Sequence, residues 1–246
     1  MSSVKADSLH RATDGYLFDI VVINMATPTS VTRSLPAFRS RVLPVVVVTR
    51  VEQAVPLAHA LLDGGVDVME ITLRHAAGLP ALEAVSRAVP SMCVGAGTVT
   101  RASQMREVQQ AGARFALSPG MTESLVQAAQ ACQLPFIPGV MTPGEVMRAQ
   151  EWGFHLVKLF PAAQAGGLSM LKALAAPLTE MAFCPTGGVS SANLLDFLAL
   201  PNVPLVGGTW LTPLPLVERG DWPAITRLAR EATQLAASAP EHPHTA

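Results

Sequence analysis

The chain has 246 residues, half of them apolar, which is enough to bury the core of one α/β domain. Its formal net charge is −1 and only 14% of its residues are charged, against ~25% in ordinary globular domains, which excludes the basic surface that nucleic acid or an anionic membrane would need in a partner. A mean hydropathy of +0.36 leaves more apolar surface than one copy needs to bury, and so points to subunit contacts.

Residues 1–41 read as an N-terminal extension, partly disordered or forming a leading helix. Within it, 16–26 comes nearest to a signal-peptide core, but Asp19 and Asn24 interrupt it and the residues before it carry only sparse basic charge. No stretch reaches the ~18 uninterrupted apolar residues of a membrane span. From Val42 onward, short β-branched runs recur with a spacing of roughly 20–26 residues, each followed by a helix-like stretch, as a series of βα units requires. The predicted strands are 42–48, 67–72, 92–97, 115–118, 135–138, 155–160, 181–186 and 203–207. Several are almost continuously apolar, as parallel strands buried on both faces are. Predicted helices cover 52–63, 78–88, 101–111, 122–132, 169–175, 191–200 and 221–237, and another opens at Thr142. There, Thr142-Pro143-Gly144-Glu145 is a capping box with proline at the first helical position. Gly64 and Gly65 end the first helix, and 238–246 read as a flexible tail. Eight strands, each followed by a helix, predict a single-domain (β/α)8 barrel of the TIM type over 42–237. An open doubly wound sheet is the other arrangement, but its Gly-rich turn after the first strand is missing at 48–52.

Barrel chemistry sits at the C-terminal ends of the strands. The sixth predicted strand holds Lys158 alone among Leu156, Val157, Leu159, Phe160 and Pro161. A lysine that must lose its proton to become a nucleophile needs such an apolar setting, although a lysine there could also snorkel from a strand edge to water. At the end of the second strand, Glu70-Ile71-Thr72-Leu73-Arg74 alternates so that Glu70, Thr72 and Arg74 share one side. A carboxylate and a guanidinium are then expected in one small space, for catalysis or as a buried ion pair holding the strand end.

The third strand ends in Gly95-Ala96-Gly97-Thr98. Its glycines permit either close approach of a ligand or packing against a neighbouring strand, and Thr98 offers a hydroxyl. After strands seven and eight come Gly187-Gly188 and Gly207-Gly208-Thr209. Glycine pairs at those two positions expose backbone N–H groups where barrel enzymes cradle phosphate, and predict a phosphorylated small-molecule substrate. The three cysteines show no CxxC spacing and the six histidines no HxxxH or HExxH spacing, so no metal site and no disulfide framework are expected. The cysteine usage reads as that of a reduced, cytoplasmic protein.

The stretch 42–237 resembles the bacterial 2-keto-3-deoxy-6-phosphogluconate (KDPG) and 4-hydroxy-2-oxoglutarate (KHG) aldolases. The resemblance runs through Gly65-x-x-x-x-Glu70-Ile-Thr-Leu-Arg74, Val94-Gly-Ala-Gly-Thr98-Val, Ser118-Pro-Gly120, Val157-Lys158-Leu-Phe160-Pro161-Ala, Phe183-Cys-Pro-Thr186-Gly-Gly188 and Gly207-Gly208-Thr209-Trp210. It implies a class I Schiff-base aldolase of the Entner–Doudoroff pathway, a trimeric (β/α)8 barrel with no metal and no cofactor. In that likeness Lys158 matches the imine-forming lysine and Glu70 the general acid/base. Arg74 and Thr98 match residues that hold the pyruvate end, Thr186 a hydroxyl beside the keto acid, and Phe160 and Pro119 the pocket walls. Gly187, Gly188, Gly207, Gly208 and Thr209 match the phosphate cradle. Thr209 stands where family members often have serine, keeping the hydroxyl and adding a methyl. Such enzymes begin with about one helix before the first strand, a length reached here by starting at Met25, so 1–24 reads as an accessory extension or a mis-assigned start. An aldolase for the phosphogalactonate analogue or for unphosphorylated KHG also fits these motifs. A phosphate-binding isomerase or epimerase with Glu70 as base, and a sugar-phosphate-binding barrel without chemistry, are the readings from other classes.

Overall fold

The computed structural model describes residues 35, 36 and 38–240. Most of the expected extension, including the alternative start at Met25, and the tail beyond 240 lie outside the described residues. The strands are β1 (Val42–Val46), β2 (Val68–Thr72), β3 (Cys93–Gly97), β4 (Ala116–Leu117), β5 (Phe136–Ile137), β6 (Gly139–Val140), β7 (Leu156–Leu159), β8 (Ala182–Phe183) and β9 (Val206–Gly208). Every pairing among them is parallel, in the orders β5-β4-β3-β2-β1-β9 and β6-β7-β8. β5 and β6 are halves of one stave, broken at Pro138, whose nitrogen has no hydrogen to donate. The first half pairs with β4 and the second with β7. The ring closes through a parallel bridge between Thr186 and Gly207 and a 2.9 Å bond from the Gly207 N–H to the Pro185 carbonyl. The result is the predicted (β/α)8 barrel of eight staves.

Some predicted strands overrun the ladders. β8 is only two residues long because Pro185 cannot donate, yet the stave runs on, with the N–H groups of Cys184 and Thr186 bonded to Val157 and Leu159 carbonyls at 2.8 and 3.0 Å. Around the barrel lie α1 (Ala54–Asp63), α2 (Gly78–Ala88), α3 (Ala102–Gln110), α4 (Glu123–Cys132), α5 (Pro143–Glu151), α6 (Gly167–Ala175), α7 (Leu194–Leu198), α8 (Leu214–Arg219) and α9 (Trp222–Ala237). α8 has no counterpart among the predicted helices: Pro213 and Pro215 make the segment read as a loop, although proline is tolerated in a helix's first turn. α9 packs on α1 at Gly64, where a Cβ would strike Ala229, and Thr226 bonds the Ala60 carbonyl at 2.9 Å.

Strand alternation sorts the core into two bodies. Outward-facing Val46, Ile71, Val94, Val157, Phe183 and Val206 pack beneath the helices. Inward-facing Leu43, Val68, Cys93, Phe115, Leu117, Ile137, Cys184 and Leu205 fill the lower barrel, and Phe38 leans on Phe115 with ring centroids 6.4 Å apart. Each large side chain so buried contributes about 1.5–3 kcal/mol. The barrel is therefore dry at its base, and any polar chemistry is confined to its upper, C-terminal end.

α5 shows how local sequence sets the helices around that end. The Thr142 hydroxyl accepts from the Glu145 N–H at 3.3 Å, and the Glu145 carboxylate accepts from the Thr142 and Met141 N–H groups, both at 2.8 Å. Burial pulls the Glu145 pKa up, but these hydrogen bonds and Arg148 outweigh it and hold the carboxyl below its ordinary value. The cap therefore adds stability above the normal carboxylate range, and loses it as pH falls through the lowered value. Thr142→Ala is expected to cost about 1 kcal/mol in urea denaturation at neutral pH, with kcat unchanged.

Candidate active site

Lys158 is the third residue of β7 and Glu70 the third of β2, staves on opposite sides of the ring. Both face inward, with Lys158 4% and Glu70 0% exposed. The Lys158 ammonium donates to Glu70 Oε1 at 3.1 Å and Oε2 at 3.2 Å, so the pair crosses the barrel above the apolar floor. The Phe160 ring centroid is 5.5 Å from the Lys158 nitrogen. Burial of this kind is costly for an isolated charge and tolerable only with a hydrogen-bonded partner. It also gives the lysine's proton a carboxylate to go to.

Arg74 does not share that space, which corrects the expectation from strand alternation. β2 ends at Thr72, so the period-two geometry does not carry to Arg74, which is exposed at the mouth. Its Nε donates to the Thr98 hydroxyl at 3.3 Å. Thr98 holds a left-handed backbone, φ 59°, where a β-branched residue is strained. The chain there changes partners, since the Gly97 carbonyl bonds the Leu73 N–H at 2.9 Å and the Val99 N–H bonds the Leu117 carbonyl at 3.0 Å.

Thr186, 4% exposed, lies beside Cys184, with its hydroxyl 3.4 Å from the Cys184 carbonyl and 3.8 Å from its sulfur. Phe160 is half-buried and Pro119 exposed at the rim. Gly187 and Gly188 turn the chain after β8 with φ of 91° and 89°, which glycine adopts without cost. Gly207 and Gly208 are different. Gly207 is buried, its N–H is used in the sheet, and a Cβ there would strike the Thr186 hydroxyl. At Gly208 a Cβ would strike the Trp210 ring. Exposed N–H donors are thus not what the Gly207 glycine provides; it makes room for Thr186. Thr209 is exposed beyond them.

Sequence reasoning gives no role to three residues of this region. Thr72, expected on the side of Glu70, faces inward two positions above it and donates to the Val46 carbonyl at 2.9 Å. The Ser118 hydroxyl pins the Pro119 turn, donating to the Gly120 carbonyl at 2.6 Å and accepting from the Gly139 N–H at 3.4 Å. Cys184 lies directly below the site. Alternation places Thr72 and could have placed Cys184; nothing in the sequence marks the Ser118 bonds. Among the described residues, no group of three or more His, Cys, Asp or Glu could hold a metal ion.

Residues 37–228 match the family model described as KDPG and KHG aldolase. The chain belongs to the KDPG and KHG aldolase family. It is 48% identical over 193 residues to the KHG/KDPG aldolase of Escherichia coli K12, covering 78% of this chain and 91% of that one. It is 44% identical over 203 residues to the 2-dehydro-3-deoxy-phosphogluconate aldolase of Pseudomonas aeruginosa, covering 82% and 92%. The crystal structure of the Legionella pneumophila KDPG aldolase, with pyruvate captured as a covalent carbinolamine, superposes with a TM-score of 0.77 at 44% identity, covering 79% of this chain and 94% of that one.

In this aldolase family member, burial pushes the Cys184 thiol up to about 12 and the Cys93 thiol up to about 11. Both stay neutral at physiological pH, so no thiolate adds charge beneath the Lys158–Glu70 pair. A raised thiol pKa supports folding below the ordinary value of 9.0 and loses that support as pH rises toward about 12. The thermal midpoint is expected to fall above pH 9 and to fall less steeply in Cys184→Ala. At the mouth, Thr98→Gly should be more stable than Thr98→Ala by about 1 kcal/mol in urea denaturation, because both lose the hydroxyl and only alanine keeps the left-handed strain.

Proposed function

We propose that this chain cleaves KDPG to pyruvate and glyceraldehyde 3-phosphate through an imine on Lys158, with KHG, giving pyruvate and glyoxylate, as a second substrate. The observation that carries this reading is the buried Lys158–Glu70 pair, an amine and a carboxylate 3.1 Å apart above an apolar floor. It also accords with relatives named for this activity. The protein acts as a homotrimer in the cytoplasm, in the Entner–Doudoroff pathway.

The reaction begins when Lys158 passes a proton to Glu70, and the neutral amine attacks the C2 ketone of the substrate. Protonated Glu70 returns that proton to the carbinolamine hydroxyl, which leaves as water and gives a cationic imine. The imine draws the electrons of the C3–C4 bond toward C2 while Glu70, directly or through a water, takes the C4 hydroxyl proton. Glyceraldehyde 3-phosphate departs as the aldehyde, leaving an enamine on Lys158. Glu70 then protonates C3, and water adds to the imine to release pyruvate and the free lysine.

Arg74, oriented by Thr98, binds the carboxylate of the keto acid through two parallel hydrogen bonds. Thr186, Phe160 and Pro119 bound the keto acid. The phosphate lies against Gly187, Gly188, Gly208 and Thr209, with Gly207 shaping the wall. The C2 cation supplies the electron sink that breaks the carbon–carbon bond.

Borohydride added with pyruvate is expected to leave a reduced pyruvyl group on Lys158, read by peptide mass spectrometry. An active enzyme that gives no adduct would sink the imine mechanism. Glu70→Gln should lower kcat by about 10²–10⁴-fold while still permitting slow trapping, and Lys158→Ala should abolish both. Arg74→Lys loses the two-point grip and raises KM for every 2-keto acid tested. Parallel assays with KDPG, its galactonate epimer and KHG rank the substrates.

A further inference from the structure

Gly97 ends β3 in register with Thr72 and has no positive φ, so nothing in its backbone demands glycine. Space does. Glu70 is two residues before Thr72 on the same inward face, and its side chain reaches up toward the mouth until it lies over the Gly97 Cα. A Cβ at position 97 would stand 2.5 Å from Glu70 Cδ and closer still to Cγ and Oε1. Real Cβ atoms essentially never come so near another heavy atom. On its other side the same carboxylate is held by Lys158, at 3.1 and 3.2 Å. The carboxylate therefore occupies a slot with the Gly97 Cα as one wall and the lysine amine as the other.

The neighbouring inward glycine serves another purpose. At Gly95 a Cβ would strike the Phe115 ring, which belongs to the barrel floor. One glycine of the Gly95-Ala96-Gly97 run thus fits the core, and the other fits the reactive carboxylate. We infer that Gly97 is a positioning residue for Glu70: its missing side chain fixes where the carboxylate stands, and a methyl there displaces the proton-transfer group while leaving Lys158 and Arg74 in place. This rests on the reading of Glu70 as the acid/base group.

The test is Gly97→Ala, followed by exchange of pyruvate methyl protons in D2O, which reports proton transfer at C3 of the enamine. Exchange and kcat should fall about 100-fold, the order expected for a catalytic group misplaced by an ångström, with KM little changed and the borohydride adduct on Lys158 still forming. A double-mutant cycle isolates the cause. In a Glu70→Ala background the three atoms nearest the methyl are gone, so adding Gly97→Ala should change residual exchange and thermal midpoint by no more than roughly twofold and a degree or two respectively. Equal losses in both backgrounds, or undiminished exchange in Gly97→Ala, overturn the inference. If Gly97→Ala alone fails to fold while Glu70→Ala folds, the double variant should fold, and its failure to do so also overturns it. Absence of the adduct in the unaltered enzyme would instead remove the reading of the site on which the inference rests.

Discussion

A carboxylate and an ammonium buried together above a dry floor are what the upper half of this barrel is arranged around. Removing two such charges from water costs several kcal/mol each, and their attraction offsets this only when the geometry is good. Here one ammonium meets both oxygens of one carboxylate. Losing either partner would leave the other uncompensated, a cost of about 3–5 kcal/mol. The closed ring solves the geometric problem, because residues 88 apart in sequence come from opposite staves and meet at one height in the lumen. An open sheet would not bring opposite strands face to face.

The same lumen must also be filled, and the filling explains its composition. Large residues at the base, Phe115 above all, are matched by an absent side chain at Gly95 on the adjacent stave. Higher up, buried polar side chains take the place of core residues as the objects to be accommodated: Glu70 against Gly97 and Thr186 against Gly207. Gly139, paired with Lys158, clears the Pro119 carbonyl in the same way. These glycines are selected by volume rather than by backbone angle. Packing of this density tolerates little change in volume.

That distinction decided what could be read from the sequence. β-branched runs at a steady spacing gave the eight staves, and a lone lysine in an apolar run marked the buried cation of the lumen before any geometry was known. The break of the fifth stave at Pro138 and the turn of α8 behind Pro213 were hidden, because proline signals a boundary without saying whether a ladder resumes beyond it. The place of Arg74 was also hidden. Local alternation put it beside Glu70, but strand pairing ends at Thr72, and the cation that meets Glu70 is Lys158 from across the barrel. Glycine pairs suggested exposed amides, whereas the Gly207 amide is spent on closing the ring. A motif shows which residue types recur together; it does not show whether a glycine serves its own backbone, a neighbour's side chain or a ligand.

Depth then divides the labour. The Lys158–Glu70 pair is almost wholly buried, while Arg74 stands exposed at the rim, tied to the strained Thr98. A guanidinium beside Glu70 at the bottom would compete with Lys158 for the same carboxylate. Held at the rim, it leaves that pair undisturbed. The left-handed turn at Thr98 is what permits this separation. It ends the β2–β3 ladder immediately above the carboxylate slot and sends the next hydroxyl outward to Arg74. One short stretch, Gly97 and Thr98, therefore shapes both places: an absent side chain makes the slot for the Glu70 carboxylate, and a left-handed turn carries the hydroxyl that Arg74 bonds above it.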